Sequence, residues 1–129
     1  MKTNFDPRHL RRIRIIKALY SQQFISTKKP KMNSLDVKFF NILLKELPKL
    51  NQEINRYSLK FGVEKMAKID LSILQLGTYE LLFQKQVPSK VVMDEAIELA
   101  KEFGSEKSPS LINGILAKIY EQKKANENA

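Results

Sequence analysis

Apolar side chains recur along most of the chain at the three- and four-residue spacing of α-helices, with few β-branched runs to favour strands. Between Arg8 and Ile25, Leu10, Ile13, Ile16, Tyr20 and Phe24 fall on one side of a helix turned by about 100° per residue. Arg8, Arg11 and Arg12 fall on another side, which Ile15 and Leu19 continue. The pattern predicts a first helix with an exposed basic head and a buried tail. Lys28 to Met32 reads as a polar loop around Pro30. Asn33 or Ser34 can cap a second helix built on Leu35, Phe39, Phe40, Leu43, Leu44 and Leu47. Pro48 suits the first turn of a further helix carrying Leu50, Ile54, Tyr57 and Phe61, which Gly62 ends.

After a short segment, 63–68, Asp70 is the expected N-cap of a helix with Leu71, Leu74, Thr78, Leu81 and Leu82 on one stripe and Ile73, Leu76, Tyr79 and Phe83 beside it. A helix apolar over so much of its circumference belongs at the centre. Val87 and Pro88 break the pattern. From Val91 to Phe103, Val92, Ala96, Leu99, Ala100 and Phe103 point inward, while Asp94, Glu95, Glu98, Lys101 and Glu102 read as a solvated face. Gly104 fits the position just past a helix end. Ser108 and Pro109 read as N-cap and first residue of a last helix lined by Leu111, Ile112, Ile115, Leu116, Ile119 and Tyr120. The polar tail, 121–129, is expected to fray. No repeat or linker divides the chain, so the expectation is one all-α domain over residues 1–129, with six or seven helices.

Charge changes this picture more than composition does. The chain has 129 residues and a formal net charge of +9. Residues 1–31 hold nine basic side chains (Lys2, Arg8, Arg11, Arg12, Arg14, Lys17, Lys28, Lys29, Lys31) and one acid, Asp6. The rest of the chain is near neutral. A basic block on a neutral body suggests a surface for a polyanion. Three arginines on one helical arc can reach successive phosphates, and guanidinium binds phosphate oxygens bidentately. Tyr20 and Phe24 face away from that arc and read as core or partner contacts rather than stacking platforms.

Other chemistry is excluded step by step. Without cysteine there is no disulfide, thiolate metal site or cysteine nucleophile. His9 is the single histidine and, inside the basic block, is expected at a solvated surface. Gly62, Gly77, Gly104 and Gly114 belong to no phosphate-loop pattern. No constellation joins nucleophile, base and oxyanion donors. No apolar run nears the ~20 residues of a membrane span, and the N-terminus lacks the apolar core of a signal peptide. The residues alone therefore describe a cytoplasmic RNA-binding or protein-binding module, not an enzyme, with no metal and no cofactor.

Four strings add to this. ALYSQQF at 18–24 follows the arginines, DLSILQLGTYELLF at 70–83 precedes VPSKVVMDEAIELAKEFG at 87–104, and SPSLINGILAKI stands at 108–119. Together, over about residues 8–119, they resemble the NusB family of bacterial transcription antitermination factors. The resemblance implies two small helical bundles packed together. It implies pairing with the ribosomal protein NusE, recognition of the boxA element in nascent ribosomal RNA, and loading of an antitermination complex on RNA polymerase. Some family members self-associate when NusE is absent. Related domains occur beside ribosomal RNA cytosine methyltransferases, which gives an RNA-positioning domain as one alternative; a structural helical homo-oligomer is another.

By the same resemblance, Arg8 and Arg12 match the RNA-binding pattern best. Arg11 and Arg14 are basic where the family varies, and His9 stands where another arginine is common. Lys107 and Leu111, at the start of the last helix, border the RNA site. Tyr20, Phe24 and Asp70 map to the NusE surface, which implies exposed rings at the rim of the core, with Leu19 buried. Tyr79 and Glu80 are expected to be structural.

Overall fold

The structure, a computed structural model, describes residues 6–24, 32–58 and 62–128. Lys2, Ile25, Lys28, Lys29, Pro30, Lys31 and Phe61 lie outside the described residues. Within them are five helices: α1 (Pro7–Gln22), α2 (Ser34–Tyr57), α3 (Lys68–Phe83), α4 (Ser89–Phe103) and α5 (Ser108–Glu127). The fold is all-helical, as expected, with fewer helices than the predicted six or seven. Pro48 accounts for the difference, because α2 runs through it. A proline inside a helix removes the bond to the carbonyl four residues back and costs about 3 kcal/mol. Pro48 is exposed, where water can satisfy that carbonyl. Phe40 and Leu43 before it and Leu50 and Ile54 after it are all buried, so one packed face holds both halves in line.

Local signals set most helix starts. Asp6 accepts a hydrogen bond from the Arg8 amide at 2.9 Å, with Pro7 opening α1. Asn33 accepts from the Asp36 amide at 2.8 Å and caps α2. At α3 the expected cap is displaced: Ala67 is the N-cap and Asp70 stands inside the first turn, with no side-chain cap bond. Lys107, not Ser108, precedes α5. Ser108 instead accepts a bond from the Ser105 amide at 2.9 Å, which ties the α4–α5 turn. Gly104 has an extended backbone. Its need for glycine is proximity: a Cβ there would lie 2.4 Å from Ser108 Oγ. The polar stretch after Tyr120, where fraying is predicted, is helical as far as Glu127.

α3 is central and packs against each of the other four helices. Ile73, Leu74, Leu76 and Leu81 are fully buried within one apolar cluster that also takes in Leu19, Leu43, Leu99 and Ile112. No helix among the described residues is long and apolar enough to cross a membrane.

Two elements face the core differently from the periodicity. α1 is rotated by roughly a third of a turn from the predicted side. Its buried residues are His9, Arg12, Ile15, Ile16, Ala18 and Leu19, while Leu10, Tyr20 and Phe24 are 38%, 39% and 41% exposed. On α4, Glu95 belongs to the buried face and Phe103 to the exposed one. The burial of His9, Arg12 and Glu95 has one cause, an ionic cluster between α1, α3 and α4.

Candidate nucleic-acid interface

Arg12 is 8% exposed and forms a fork-to-fork pair with Glu80 of α3. Its Nε donates to Oε1 at 2.8 Å and its Nη2 to Oε2 at 2.7 Å. Both carboxylate oxygens are thereby used, in the bidentate geometry that makes such pairs strong. Arg12 Nη1 also lies 3.9 Å from Glu95 Oε1. His9, expected at a solvated surface, is 3% exposed. Its Nδ1 lies 2.9 Å from Glu95 Oε2 and its Nε2 2.8 Å from Glu102 Oε1. Carboxylate oxygens thus face both ring nitrogens, and a ring nitrogen donates to its carboxylate where it carries hydrogen. The acidic stretch of α4 is therefore not simply a solvated face. Asp94 is exposed and Glu98 sits 3.8 Å from Lys101, but Glu95 and Glu102 hold α1.

Two signals in the sequence pointed here. Glu80 is the one carboxylate of the most apolar helix beyond its first turn, and a carboxylate buried there calls for a cation. Glu95 stands three residues after Val92 and four before Leu99, on the inward line of α4.

The remaining arginines of α1 face outward. Arg8 is exposed, and Arg11 and Arg14 have side chains 44% and 42% exposed. Arg14 Nε donates to Asp36 Oδ2 at 2.7 Å, and Arg11 Nε lies 3.4 Å from Asp36 Oδ1. One buried carboxylate thus serves two guanidinium groups, and the ridge of three arginines keeps an excess of positive charge. Arg11 also covers the Phe39 ring, at 4.3 Å from the centroid. Beside the ridge lies a recess of about 150 Å³ between α1, α3 and the α3–α4 turn, touched by Arg8, Arg11 and Arg12. The structure thus brings Arg8, Arg11 and Arg14 to one outward ridge and takes His9 and Arg12 out of reach of solvent. Lys107 is exposed and Leu111 about one-third exposed at the start of α5, and neither lines the recess.

The other end of α1 has a different character. Tyr20 and Phe24 meet edge to face, with centroids 5.0 Å apart. With Ile69 and Phe103 they line an open groove of about 770 Å³, edged by Lys17 and Lys68. The rings sit at the rim of the core, as the resemblance implied, and Leu19 beneath them is buried. Asp70, next in sequence to the groove residue Ile69, is buried. Its Oδ1 has no hydrogen-bond partner among the described residues.

The model of the NusB family matches residues 9–121. The transcription antitermination protein NusB of Thermotoga sp. (strain RQ2) is 34% identical over 95% of this chain and 94% of its own length. That of Geobacter sulfurreducens is 44% identical over 60% of this chain and 56% of its own. Among solved structures, Thermotoga maritima NusB superposes with a TM-score of 0.79 at 30% identity, covering 98% of this chain and 99% of the other. A crystal structure of antitermination factors NusB and NusE in complex with dsRNA shares the fold, with a TM-score of 0.74 at 18% identity over 91% of this chain and 99% of that one.

Proposed function

The chain belongs to the NusB family, and from that premise we propose that it is a transcription antitermination factor that binds boxA-type single-stranded RNA together with the ribosomal protein NusE. It would act in the cytoplasm, delivering the pair to an antitermination complex on RNA polymerase. Its work is positioning, with no bond made or broken.

The observation that carries this reading is the division of charge on α1. Glu80 and Glu95 hold Arg12 and His9 inside the protein, with Glu102 closing over His9 from the surface. Arg8, Arg11 and Arg14 stay at the surface against the single Asp36. An outward ridge of guanidinium groups binds phosphates without regard to sequence and gives affinity that falls steeply with salt. In this reading Arg8 is the main phosphate contact among the predicted residues, with Arg11 and Arg14 beside it. His9 and Arg12 hold the ridge in place, and Lys107 and Leu111 extend the RNA path at the start of α5.

The Tyr20–Phe24 groove is the NusE surface. Its exposed aromatic rings are the residue type that anchors protein interfaces, and the unpartnered Asp70 oxygen lies next in sequence to its wall. In the absence of NusE, the same apolar rims can pair two copies of the chain. The division of the fold into two small bundles that share α3 would place the RNA ridge and the groove at opposite ends of α1.

Titration of a labelled boxA oligoribonucleotide with the chain, with NusE, and with both tests the proposal. The expected result is weak binding by each alone and tight binding by the pair. Equal affinity with and without NusE, or no RNA binding by the pair, would overturn it.

A further inference from the structure

The recess beside the arginine ridge is more elaborate than phosphate binding requires. Its floor is apolar, formed by Ile15 and Leu76, with Phe39 at one side. One wall is Glu80, whose two oxygens are both taken by Arg12, so that wall repels no anion. The opposite lip is the turn that follows α3. There the Val87 amide donates to the Gln84 carbonyl at 3.0 Å and closes the turn. Within it Gln86 Nε2 donates to Gln84 Oε1 at 2.9 Å. Two side-chain amides joined by one hydrogen bond still offer N–H donors and carbonyl lone pairs to a ligand, whichever way round the pair is turned. Arg8 and Arg11 also line it, and the Arg11 guanidinium lies over the Phe39 ring, 4.3 Å from its centroid, with its side chain 44% exposed.

Size limits the occupant. At about 150 Å³ the recess is well below the roughly 300–1,000 Å³ typical of sites for drug-sized ligands, which leaves room for one small ring system. Protein surfaces that read single-stranded RNA splay a base out of the stack, seat it on an aromatic ring or a guanidinium plane, and hydrogen-bond its Watson–Crick edge. The recess supplies the seat, the plane and amide donors and acceptors, with cations in its lining for the flanking phosphates. An apolar side chain from a protein partner would use the floor but none of the remaining amide donors and acceptors at the lip.

We propose that this recess, with Arg11 as stacking plane and Gln84 and Gln86 as readers, holds one splayed-out base of the bound strand. The inference rests on the RNA-binding reading above and adds to it the point where sequence is read, since phosphate contacts carry no sequence information.

The test is an anisotropy titration of a labelled boxA-type oligoribonucleotide with the full chain, repeated with oligonucleotides that each lack one base. Loss of the seated base weakens binding about tenfold, while loss at other positions has little effect. In Gln84→Ala and Gln86→Ala that penalty shrinks to about twofold or less, and the salt dependence stays that of the unaltered chain. Both positions are at the turn and outside the core, so thermal unfolding is unchanged. A flat profile across the abasic series, with affinity intact, overturns the base seat and leaves RNA binding standing. A penalty that persists in both variants places the base elsewhere and overturns the assignment. Weakened NusE binding with unaltered RNA binding makes the recess a protein contact and overturns it too. Absence of all RNA binding overturns the reading on which it rests.

Discussion

Arg8 and Arg12 stand one helical turn apart on α1 and carry the same charge. Arg12 is enclosed by α3 and α4, with a carboxylate on each polar edge it presents. Arg8 is exposed, and its side chain makes no ion pair among the described residues. A basic helix is therefore two devices laid side by side. The buried charges fasten α1 to the body, because each leaves an uncompensated partner if removed. The exposed charges remain available to a polyanion, because Arg8 has no ion-pair partner among the described residues and Arg11 and Arg14 share the single carboxylate of Asp36. Net charge along a sequence does not distinguish the two; the location of the opposing acids does.

The largest expected effect breaks the buried side. Arg12→Ala or Glu80→Ala leaves an unpaired charge in the interior and should lower the free energy of unfolding by about 3–5 kcal/mol, read by chemical denaturation. Replacing both, as Arg12→Met with Glu80→Leu, removes the charge and its partner together and should restore stability to within about 1 kcal/mol of the unaltered chain. A double variant as unstable as either single one would mean that the pair does more than compensate itself.

Next in size is His9→Leu. It strips Glu95 of its imidazole partner and frees Glu102, and should cost about 2–3 kcal/mol of stability, the range of hydrogen bonds to charged groups. At the far end of α1, Tyr20→Ala should weaken NusE binding by at least about tenfold, as loss of an aromatic anchor does. RNA affinity of the isolated chain should stay the same, which calorimetry with NusE and anisotropy with RNA check separately. The smallest effect on folding belongs to Arg8→Ala, whose stability should stay within about 0.5 kcal/mol of the unaltered chain because the site is exposed. Its effect falls on RNA binding alone.

Much of this organisation was legible before the structure. The periodicity of residues 70–83 placed the central helix, and the caps at Asp6 and Asn33 are local chemistry that a few residues determine. The exposed Tyr20 and Phe24 followed from the family resemblance, whereas periodicity alone left core and partner contact both open. Two things escaped. The continuity of α2 through Pro48 depends on packing along its whole length, which outweighs a local helix breaker. The rotation of α1 depends on residues 68 to 93 positions away, since Glu80, Glu95 and Glu102 draw Arg12 and His9 to the buried side of that helix. Counting apolar residues treats an arginine as solvent-facing by default. A glutamate in the buried middle of a largely apolar helix is the trace that a distant cation leaves in a sequence.

The central claim is that Arg8 serves RNA and Arg12 serves the fold. It is tested most directly by measuring RNA affinity across a salt series for Arg8→Ala and for the Arg12→Met, Glu80→Leu double variant. Arg8→Ala should reduce the slope of log affinity against log salt by about 0.7, the value for one phosphate contact on a single strand. The folded double variant should keep the full slope. A double variant that folds yet loses that slope, while Arg8→Ala retains it, would contradict the account.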